Sequence, residues 1–176
     1  MNKNNVYLKK LEEADKNEFK KKIQESFGVA IAKNFKNAPL IPSDKELENA
    51  FNSSCNDIYC IYLNDEKIGG AVVRINNKTL INSLELFFIY KEKHSSGLGL
   101  AALKTIEKQY PKTKIWETVT PYFEKRNINF YVNKCGFHIV EFCNKYHKKL
   151  DKHYKQSPED KIPGTDEFFK FQKIMY

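Results

Sequence analysis

The chain has 176 residues and a formal net charge of +8 at pH 7, from 30 Lys and Arg against 22 Asp and Glu. This length is sufficient for one domain with a substantial core, and contents of 41% hydrophobic and 14% aromatic residues exclude a disordered chain. No apolar run approaches the ~20 residues of a membrane-spanning helix, and the polar residues 1–13 show no secretory signal. We therefore expect one domain over residues 1–176 and no membrane partner.

The cysteines indicate neither a metal site nor a disulfide framework. Cys55, Cys60, Cys135 and Cys143 form no Cys-x-x-Cys pair, and their spacing to histidines matches no zinc motif. We interpret them as small, half-buried hydrophobic side chains. Free thiols of this kind suit the reducing cytoplasm, where we expect the protein to reside, and no metal is expected.

The first part of the chain predicts a short strand followed by two helices. In the longer helix, Phe19, Ile23 and Phe27 recur every four residues, which is typical of one buried helical face. Gly28 falls inside this pattern and is expected to bend or end the helix. A proline-bounded turn leads to the second helix, for which Ser43 is the predicted N-cap.

The rest of the chain predicts a sheet interrupted by helices. Three β-rich runs within residues 57–89, separated by the turn sequences NDE and NN, predict an antiparallel meander. A helix over residues 97–110 follows, and then strand, helix, strand and strand patterns. The order β α α β β β α β α β β predicts an α/β fold in which a mixed, mostly antiparallel sheet is flanked by helices. The last segment, FFKFQKIMY, is either a core strand or a strand that pairs with a second subunit.

The segment HSSGLGLA places Gly97 and Gly99 at the mouth of a helix. Glycines there leave backbone N–H groups pointing outward at the positive end of the helix dipole, which favours a phosphate group. One class that uses such a site is the dinucleotide-binding fold, whose fingerprint is matched by Gly97, Gly99 and Ala102. However, seven residues separate Ile89, at the end of the preceding strand, from Gly97. This gap and the antiparallel meander before it count against a dinucleotide-binding fold.

A second class fits better, because the sequence resembles the GNAT superfamily of acyl-CoA-dependent N-acetyltransferases over most of residues 58–142. The family's pyrophosphate motif, R/Q-x-x-G-x-G/A, aligns with HSSGLG at residues 94–99, and SLELFFI and KIGGAVVRI resemble the strands before it. The segment YFEKRNINFYVNKCGFHIVEF is similar to a later helix and strand, with a Gly-Phe junction at Gly136 and Phe137. The three features occur in the order and spacing of the family.

The resemblance implies that acetyl-CoA is the co-substrate. Backbone groups of the strand end would pair with the pantetheine arm, and N–H groups of the glycine loop would hold the pyrophosphate. The residues implied in cofactor binding are Phe88, Ile89, His94, Ser95, Ser96, Gly97, Leu98, Gly99, Leu100, Ala101 and Asn127. His94 stands where the family has Arg or Gln, and a neutral imidazole offers less to a phosphate, so binding is expected to depend on N–H groups and serine hydroxyls. A loop histidine without a role is the alternative for His94.

The implied reaction is direct attack of an uncharged amine on the thioester carbonyl, with the oxygen stabilised by a strand N–H such as that of Ile89. Tyr131 is the candidate acid for the departing thiolate. It lies one residue before Val132, the position at which the family often places a tyrosine. Either the helix carries an extra residue, as in a π-bulge, or Tyr131 points elsewhere.

Two acids are candidates for the base that takes the amine proton. Glu85 is the only acid in the strand pattern LELFFI, and a half-buried carboxylate there would have a raised pKa. Glu117, on the next strand, is the rival, and a structural role stays open for both. Strand alternation predicts two faces, Leu84, Leu86 and Phe88 on one and Glu85, Phe87 and Ile89 on the other.

The acceptor is expected to be a primary amine of a small molecule or a protein. The resemblance implies an acceptor site built from residues 27–51 and from the basic segment 144–165, where lysines favour an acidic or phosphate-bearing acceptor over a polyamine. The same lysines could instead hold the 3′-phosphate of CoA or be solvated. A homodimer is a further expectation, because dimers are frequent in the family.

A hypothesis from another class is a basic nucleic-acid-binding or CoA-sensing domain without catalysis. Tyr146 and Tyr154 lie in the basic run 144–155, where base stacking would add to phosphate contacts. No nucleic-acid motif supports it, so nucleic acid is not expected as a partner. The function expected is acetyl transfer from acetyl-CoA to an amine.

Overall fold

The computed structural model describes residues 5–36, 40–94, 96–147 and 166–176. Within these ranges, seven strands and four helices follow one another in the predicted order. The strands are β1 (Val6–Lys10), β2 (Asn56–Leu63), β3 (Glu66–Arg74), β4 (Ile81–Ile89), β5 (Ile115–Pro121), β6 (His138–Cys143) and β7 (Phe168–Ile174). The helices are α1 (Lys16–Asn34), α2 (Asp44–Asn52), α3 (Leu98–Gln109) and α4 (Lys125–Asn129), and α4 continues into a π-helical turn (Phe130–Lys134).

The strands of the described ranges form one mixed sheet in the order β1-β2-β3-β4-β5-β7-β6. Only β4 and β5 pair in parallel, and the other neighbours are antiparallel, which confirms the predicted sheet. The last strand, β7, lies between β5 and β6, and its Phe171 is fully buried. Of the two interpretations of the segment FFKFQKIMY, the core strand is therefore the one observed.

The helices cover both faces of the sheet. Leu103 and Ile106 of α3 pack with Trp116 of β5 in one hydrophobic cluster, the α3-side cluster. Phe19 of α1 and Leu47 of α2 pack in a second cluster on the other face, the α1-side cluster. Each such buried side chain contributes about 1.5–3 kcal/mol to the free energy of folding.

Two predictions concern the boundaries of the first two helices, and only the one for α2 is confirmed. Helix α1 continues through Gly28 to Asn34, so the prediction that the helix ends at this glycine is wrong. A glycine weakens a helix but does not end it where packing on both sides holds the turns. Ser43 caps α2 as predicted: its Oγ accepts a hydrogen bond from the Glu46 N–H at 3.3 Å, and the Glu46 carboxylate accepts one from the Ser43 N–H at 2.8 Å.

A β-bulge interrupts β4 and corrects the predicted faces. Val73 of β3 pairs with Leu84, but the next residue, Val72, pairs with Leu86, so Glu85 is the extra residue of the bulge. Leu84 consequently lies in the α3-side cluster, and Leu86 packs against the α1-side cluster. The expectation that Leu84 and Leu86 share a face is wrong, because the inserted residue shifts the alternation by one position.

Beyond the bulge, β4 separates from β5. Their parallel pairing ends at Ser83 and Glu117, and the Thr118 hydroxyl donates to the Leu84 carbonyl at 3.0 Å as the strands part. The Tyr90 N–H donates to the Ile68 carbonyl of β3 at 2.8 Å. Because backbone groups alternate between the two edges of a strand, the N–H and C=O of Ile89 point the other way, into the gap.

The cysteines are free thiols, and three of them, Cys60, Cys135 and Cys143, are buried more completely than expected. Burial raises the pKa of Cys60 to about 11 and that of Cys135 to about 12, so both remain unreactive thiols at neutral pH. The described residues contain no cluster of three or more His, Cys, Asp or Glu side chains placed to hold a metal ion. In the same ranges, no helix has the length and apolar character needed to cross a membrane.

Candidate active site

A cavity of about 780 Å³ lies where β4 leaves β5, a volume within the range of small-molecule sites. It is lined by α1, by the end of β4, by the loop between β4 and α3, and by α4 with its π-helical turn. Of the residues predicted to bind the cofactor, those that line it are Phe88, Ile89, His94, Gly97, Gly99, Leu100 and Asn127. Ser95 lies outside the described residues, and Ser96, Leu98 and Ala101 are not among the lining residues.

The glycine loop opens α3 with its backbone turned outward. Gly97 is the N-cap, with φ of 76° in the left-handed region that favours glycine, and no atom lies within 4 Å of the position of a Cβ there. Gly99 allows close packing instead, because a Cβ at this position would lie only 3.3 Å from the Phe130 ring. No side chain caps the start of α3, so its first N–H groups are left without a side-chain acceptor, as an anion-binding turn requires.

Three predicted members of the loop have other roles. The Ala101 N–H donates to the Gly97 carbonyl at 3.1 Å, which is an ordinary helical hydrogen bond. This N–H is therefore not available to a phosphate. Leu98 is buried in the α3-side cluster, which leaves only its backbone for binding. The Ser96 hydroxyl donates to the Lys93 carbonyl at 2.8 Å and stabilises the loop from within.

His94 joins three parts of the site. Its Nε2 is 2.7 Å from the Ile89 carbonyl oxygen, and its Nδ1 is 2.7 Å from an Arg126 guanidinium nitrogen. Burial lowers the pKa of His94, and the Arg126 charge lowers it further against the raising effect of the Ile89 carbonyl. The imidazole is therefore neutral at pH 7. His94 is therefore held by one hydrogen bond to the end of β4 and one to α4.

Tyr131 lines the cavity from the π-helical turn. The Cys135 N–H donates to the Phe130 carbonyl at 3.1 Å, so the turn holds the extra residue that a one-position offset requires. The π-bulge is thus confirmed as the form of this helix. The Tyr131 side chain is 6% exposed, and burial raises its pKa above the ordinary tyrosine value, against the lowering effect of Thr118.

The three residues predicted to share a helix face reach the cavity wall, although Phe123 precedes α4 and does not belong to the helix. Phe123, Asn127 and Tyr131 all line the cavity. Phe123 also makes an edge-on contact with Phe35, with ring centroids 5.0 Å apart. The region after β5 thereby contacts the region after α1 beside the cavity.

Neither predicted base lines the cavity. Glu85 pairs with Arg74 at 3.3 Å and accepts a hydrogen bond from Ser83, because the bulge directs it along the sheet and away from the gap. Glu117 is held on β5 by Lys170 at 3.0 Å and Gln172 at 2.6 Å. The structure assigns both carboxylates to contacts that stabilise the sheet.

A carboxylate that the sequence analysis missed does line the cavity. Among its described lining residues, Glu124 is the one acid, placed at the N-cap of α4. Burial raises the pKa of Glu124, although the Arg126 and Lys33 charges oppose this rise. The only signal in the sequence is its place just before a helix, which is common for a solvated acid. Its position near α1 results from the tertiary structure and has no signal in the local sequence.

Cations outnumber this acid around the cavity. The described lining residues include the cations Lys33, Lys91, Lys93, Lys125, Arg126 and Lys134. Lys93 is paired with Glu66 at 2.6 Å, and the Lys125 ammonium lies 3.2 Å from the centre of the Tyr122 ring. The remaining positive charge favours a polyanionic ligand.

The predicted acceptor segments are described only in part. Phe27, Ala30 and Lys33 of α1 line the cavity, whereas no residue of α2 does. Residues 148–165, with most of the basic run and Tyr154, lie outside the described residues. Tyr146 is described and is 85% exposed, in a turn where the Asn144 side chain accepts hydrogen bonds from two backbone N–H groups.

Solved structures of acetyltransferases share this architecture. An acetyltransferase from Thermus thermophilus superposes with a TM-score of 0.69 at 12% identity, covering 97% of each chain. A Bacillus subtilis acetyltransferase in complex with CoA gives 0.67 at 15% identity, over 98% of this chain and 100% of that one. A GNAT family acetyltransferase from Elizabethkingia anophelis with acetyl-CoA bound gives 0.63 at 15% identity, over 98% of this chain and 100% of that one. The chain therefore has the GNAT acetyltransferase fold.

No family model matches the sequence. The chain is 51% identical over 174 residues to the uncharacterized protein YrkN of Bacillus subtilis (strain 168), a match that covers 97% of this chain and 94% of that protein. It belongs to the same family as YrkN.

Proposed function

We propose that the protein is an N-acetyltransferase that moves the acetyl group of acetyl-CoA to a primary amine of a small molecule or a protein. One observation carries the proposal: the open edge of β4, the glycine loop of α3 and the Tyr131 side chain all meet in one cavity. Each supplies a different requirement of the reaction, namely an edge for the pantetheine amides, donors for phosphate and a proton donor for the thiolate.

The cofactor would bind through backbone groups. Ile89 presents its N–H in the gap between β4 and β5, and its carbonyl is already held by His94. The N–H groups of Leu98, Gly99 and Leu100, at the start of α3, would hold the pyrophosphate. CoA and acetyl-CoA bound to proteins of this fold support the choice of cofactor.

The chemistry follows from three groups of the cavity. Glu124 takes a proton from the amine, directly or through water, because a carboxylate with a raised pKa is a better base than an ordinary one. The uncharged nitrogen then bonds to the thioester carbonyl carbon while the Ile89 N–H donates to the carbonyl oxygen. The carbon–sulfur bond breaks with its electron pair on sulfur, and the Tyr131 hydroxyl, whose raised pKa keeps it protonated, protonates the thiolate. The amide nitrogen gives its extra proton to the Tyr131 phenolate, directly or through water, and Glu124 releases the amine proton to solvent.

Ligand-induced stabilisation tests the cofactor first. The unfolding temperature is measured with acetyl-CoA, CoA, NAD, NADP and a short RNA, each at saturation. A ligand at a hundred times its dissociation constant adds about 2.7 kcal/mol to the free energy of unfolding, which shifts Tm by roughly 5 °C or more in a domain of this size or somewhat smaller. A shift with acetyl-CoA and CoA alone is expected, and a shift with NAD or RNA instead contradicts the proposal.

The acceptor is then sought by measuring free thiol release with panels of amines. Amines that carry a carboxylate or phosphate are expected to react faster than polyamines, because the cavity cations repel a second positive group. Acetyl-CoA binding without thiol release above the rate of hydrolysis, for every amine and peptide, would favour a CoA-sensing domain.

A further inference from the structure

Arg126 is a cation of the cavity that is hydrogen-bonded to a neutral ring. Its guanidinium lies 2.7 Å from His94 Nδ1, and within the described residues no carboxylate approaches it to 4 Å. A guanidinium only donates, so His94 Nδ1 is the acceptor and the ring proton resides on Nε2, which donates to the Ile89 carbonyl. The hydrogen bonds therefore run from Arg126 through His94 to the strand edge.

We propose that Arg126 binds the pyrophosphate of the CoA substrate and that His94 is the residue that positions it. This inference rests on the proposed function. It assigns the cationic role to a side chain of α4, whereas the family motif has Arg or Gln in the loop itself, at the position that His94 occupies here.

Three features of the site support a phosphate as the ligand. His94 lies three residues before Gly97, so the guanidinium that it holds is at the loop whose N–H groups face outward. A guanidinium has five N–H donors and the contact with His94 uses one, which leaves a fork suited to phosphate oxygens. The imidazole is neutral, so it orients Arg126 without cancelling its charge.

Two of the neighbouring cations are less suited to this role. Lys93 is engaged with Glu66, and the Lys125 ammonium lies against the Tyr122 ring. Arg126 and the loop also come from separate elements, α4 and the β4–α3 connection, so together they would bind a phosphate from two sides. A substitution at Arg126 therefore removes charge without altering the glycine backbone.

Binding of CoA to Arg126→Gln tests the charge. The matched control is Lys104→Gln, which removes one positive charge from an exposed residue of α3 outside the cavity. The dissociation constant for CoA is expected to rise roughly tenfold or more in Arg126→Gln, as expected for loss of a charged hydrogen bond, and to depend less on ionic strength. Equal affinities in Arg126→Gln and Lys104→Gln overturn the proposal.

Truncated ligands identify the group that Arg126 binds. Dephospho-CoA lacks the 3′-phosphate and should lose affinity by the same factor in Arg126→Gln, whereas S-acetylpantetheine, which has no phosphate, should bind equally well to both proteins. A loss confined to CoA would place Arg126 at the 3′-phosphate and overturn the pyrophosphate assignment. A loss that extends to S-acetylpantetheine would show a general disturbance of the cavity and overturn it as well.

Substitutions of His94 test its positioning role. His94→Leu removes the acceptor for Arg126 and should weaken CoA binding, whereas His94→Gln retains an acceptor and a donor and should restore most of it. The double variant His94→Leu, Arg126→Gln should bind CoA no more weakly than Arg126→Gln alone. Additive losses overturn the positioning role. Failure of the wild-type protein to bind CoA would refute the proposed function itself, a result that none of these variants can produce.

Discussion

The N–H of Cys135 donates to the carbonyl oxygen of Phe130 across five residues, where an α-helix would use four. This bond makes the turn Phe130–Lys134 π-helical and adds one residue to it. Tyr131 consequently lies in the cavity wall although it is one position early by comparison with the family motif. The backbone irregularity and the proposed proton donor are therefore parts of the same feature.

Replacing Tyr131 by Phe is expected to lower kcat roughly 100-fold, because the departing thiolate loses its proton donor. The KM for acetyl-CoA should change little, since the ring that fills the wall is retained. Steady-state thiol release from pH 6 to 10 measures both constants. The free energy of unfolding should change by no more than about 1 kcal/mol, because only one buried hydroxyl is removed and the ring is retained. An unaltered rate at every pH would remove Tyr131 from the mechanism.

Replacing Glu85 by Gln is expected to affect stability and leave catalysis intact. The Arg74–Glu85 ion pair is mostly buried, so its loss should lower the free energy of unfolding by about 2 kcal/mol. The kcat should stay at the wild-type value, because Glu85 does not line the cavity. Urea unfolding and initial rates on the same preparation measure the two effects. A fall in kcat of tenfold or more with unchanged stability would reinstate Glu85 as the base.

Much of the fold follows from local patterns in the sequence. The order of elements, the Ser43 cap and the outward-facing Gly97 each depend on residues close together in the chain, where periodicity, capping and left-handed backbone have direct sequence signals. The π-helical turn is one of the two alternatives that the sequence predicts. The one-residue offset of Tyr131 from the family motif can be counted directly along the chain.

The corrections concern features that depend on distant contacts. Strand alternation assumes an unbroken ladder, and the bulge at Glu85 is set by the register between β3 and β4. The proposed roles of Glu124 and Arg126 depend on the positions of Glu124 near Lys33 of α1 and of Arg126 beside His94, which no spacing within residues 122–131 predicts. A helix start rich in charge is usually a solvated surface, so local pattern offers no reason to select either residue.

Glu124→Gln is expected to remove one limb of the pH profile. A base acts when deprotonated, so the wild-type kcat/KM should rise with pH through the Glu124 pKa, which burial raises above the usual glutamate range. In Glu124→Gln this limb should be absent, and the rate at neutral pH should be about 100-fold lower. A second rise at higher pH belongs to deprotonation of the amine itself, so it should persist in both proteins.

Two further variants keep the Glu124 test specific. Glu124→Asp retains a carboxylate, so its kcat/KM should still rise with pH in the same way, at a reduced rate. Lys33→Gln removes a cation that opposes the raised pKa, so its limb should move to higher pH. A wild-type limb that survives in Glu124→Gln would show that another group accepts the amine proton.

Gly97→Glu is expected to abolish CoA binding while Gly97→Asn largely retains it. Both residues must adopt the left-handed backbone of Gly97, which Asn tolerates better than most side chains. Neither meets a steric obstacle, because no atom lies within 4 Å of a Cβ there. Only Glu places a negative charge where the pyrophosphate would bind. Isothermal titration with CoA, after circular dichroism has shown that both variants are folded, measures the difference. Equal affinity of the two folded variants would contradict the placement of the pyrophosphate at this loop.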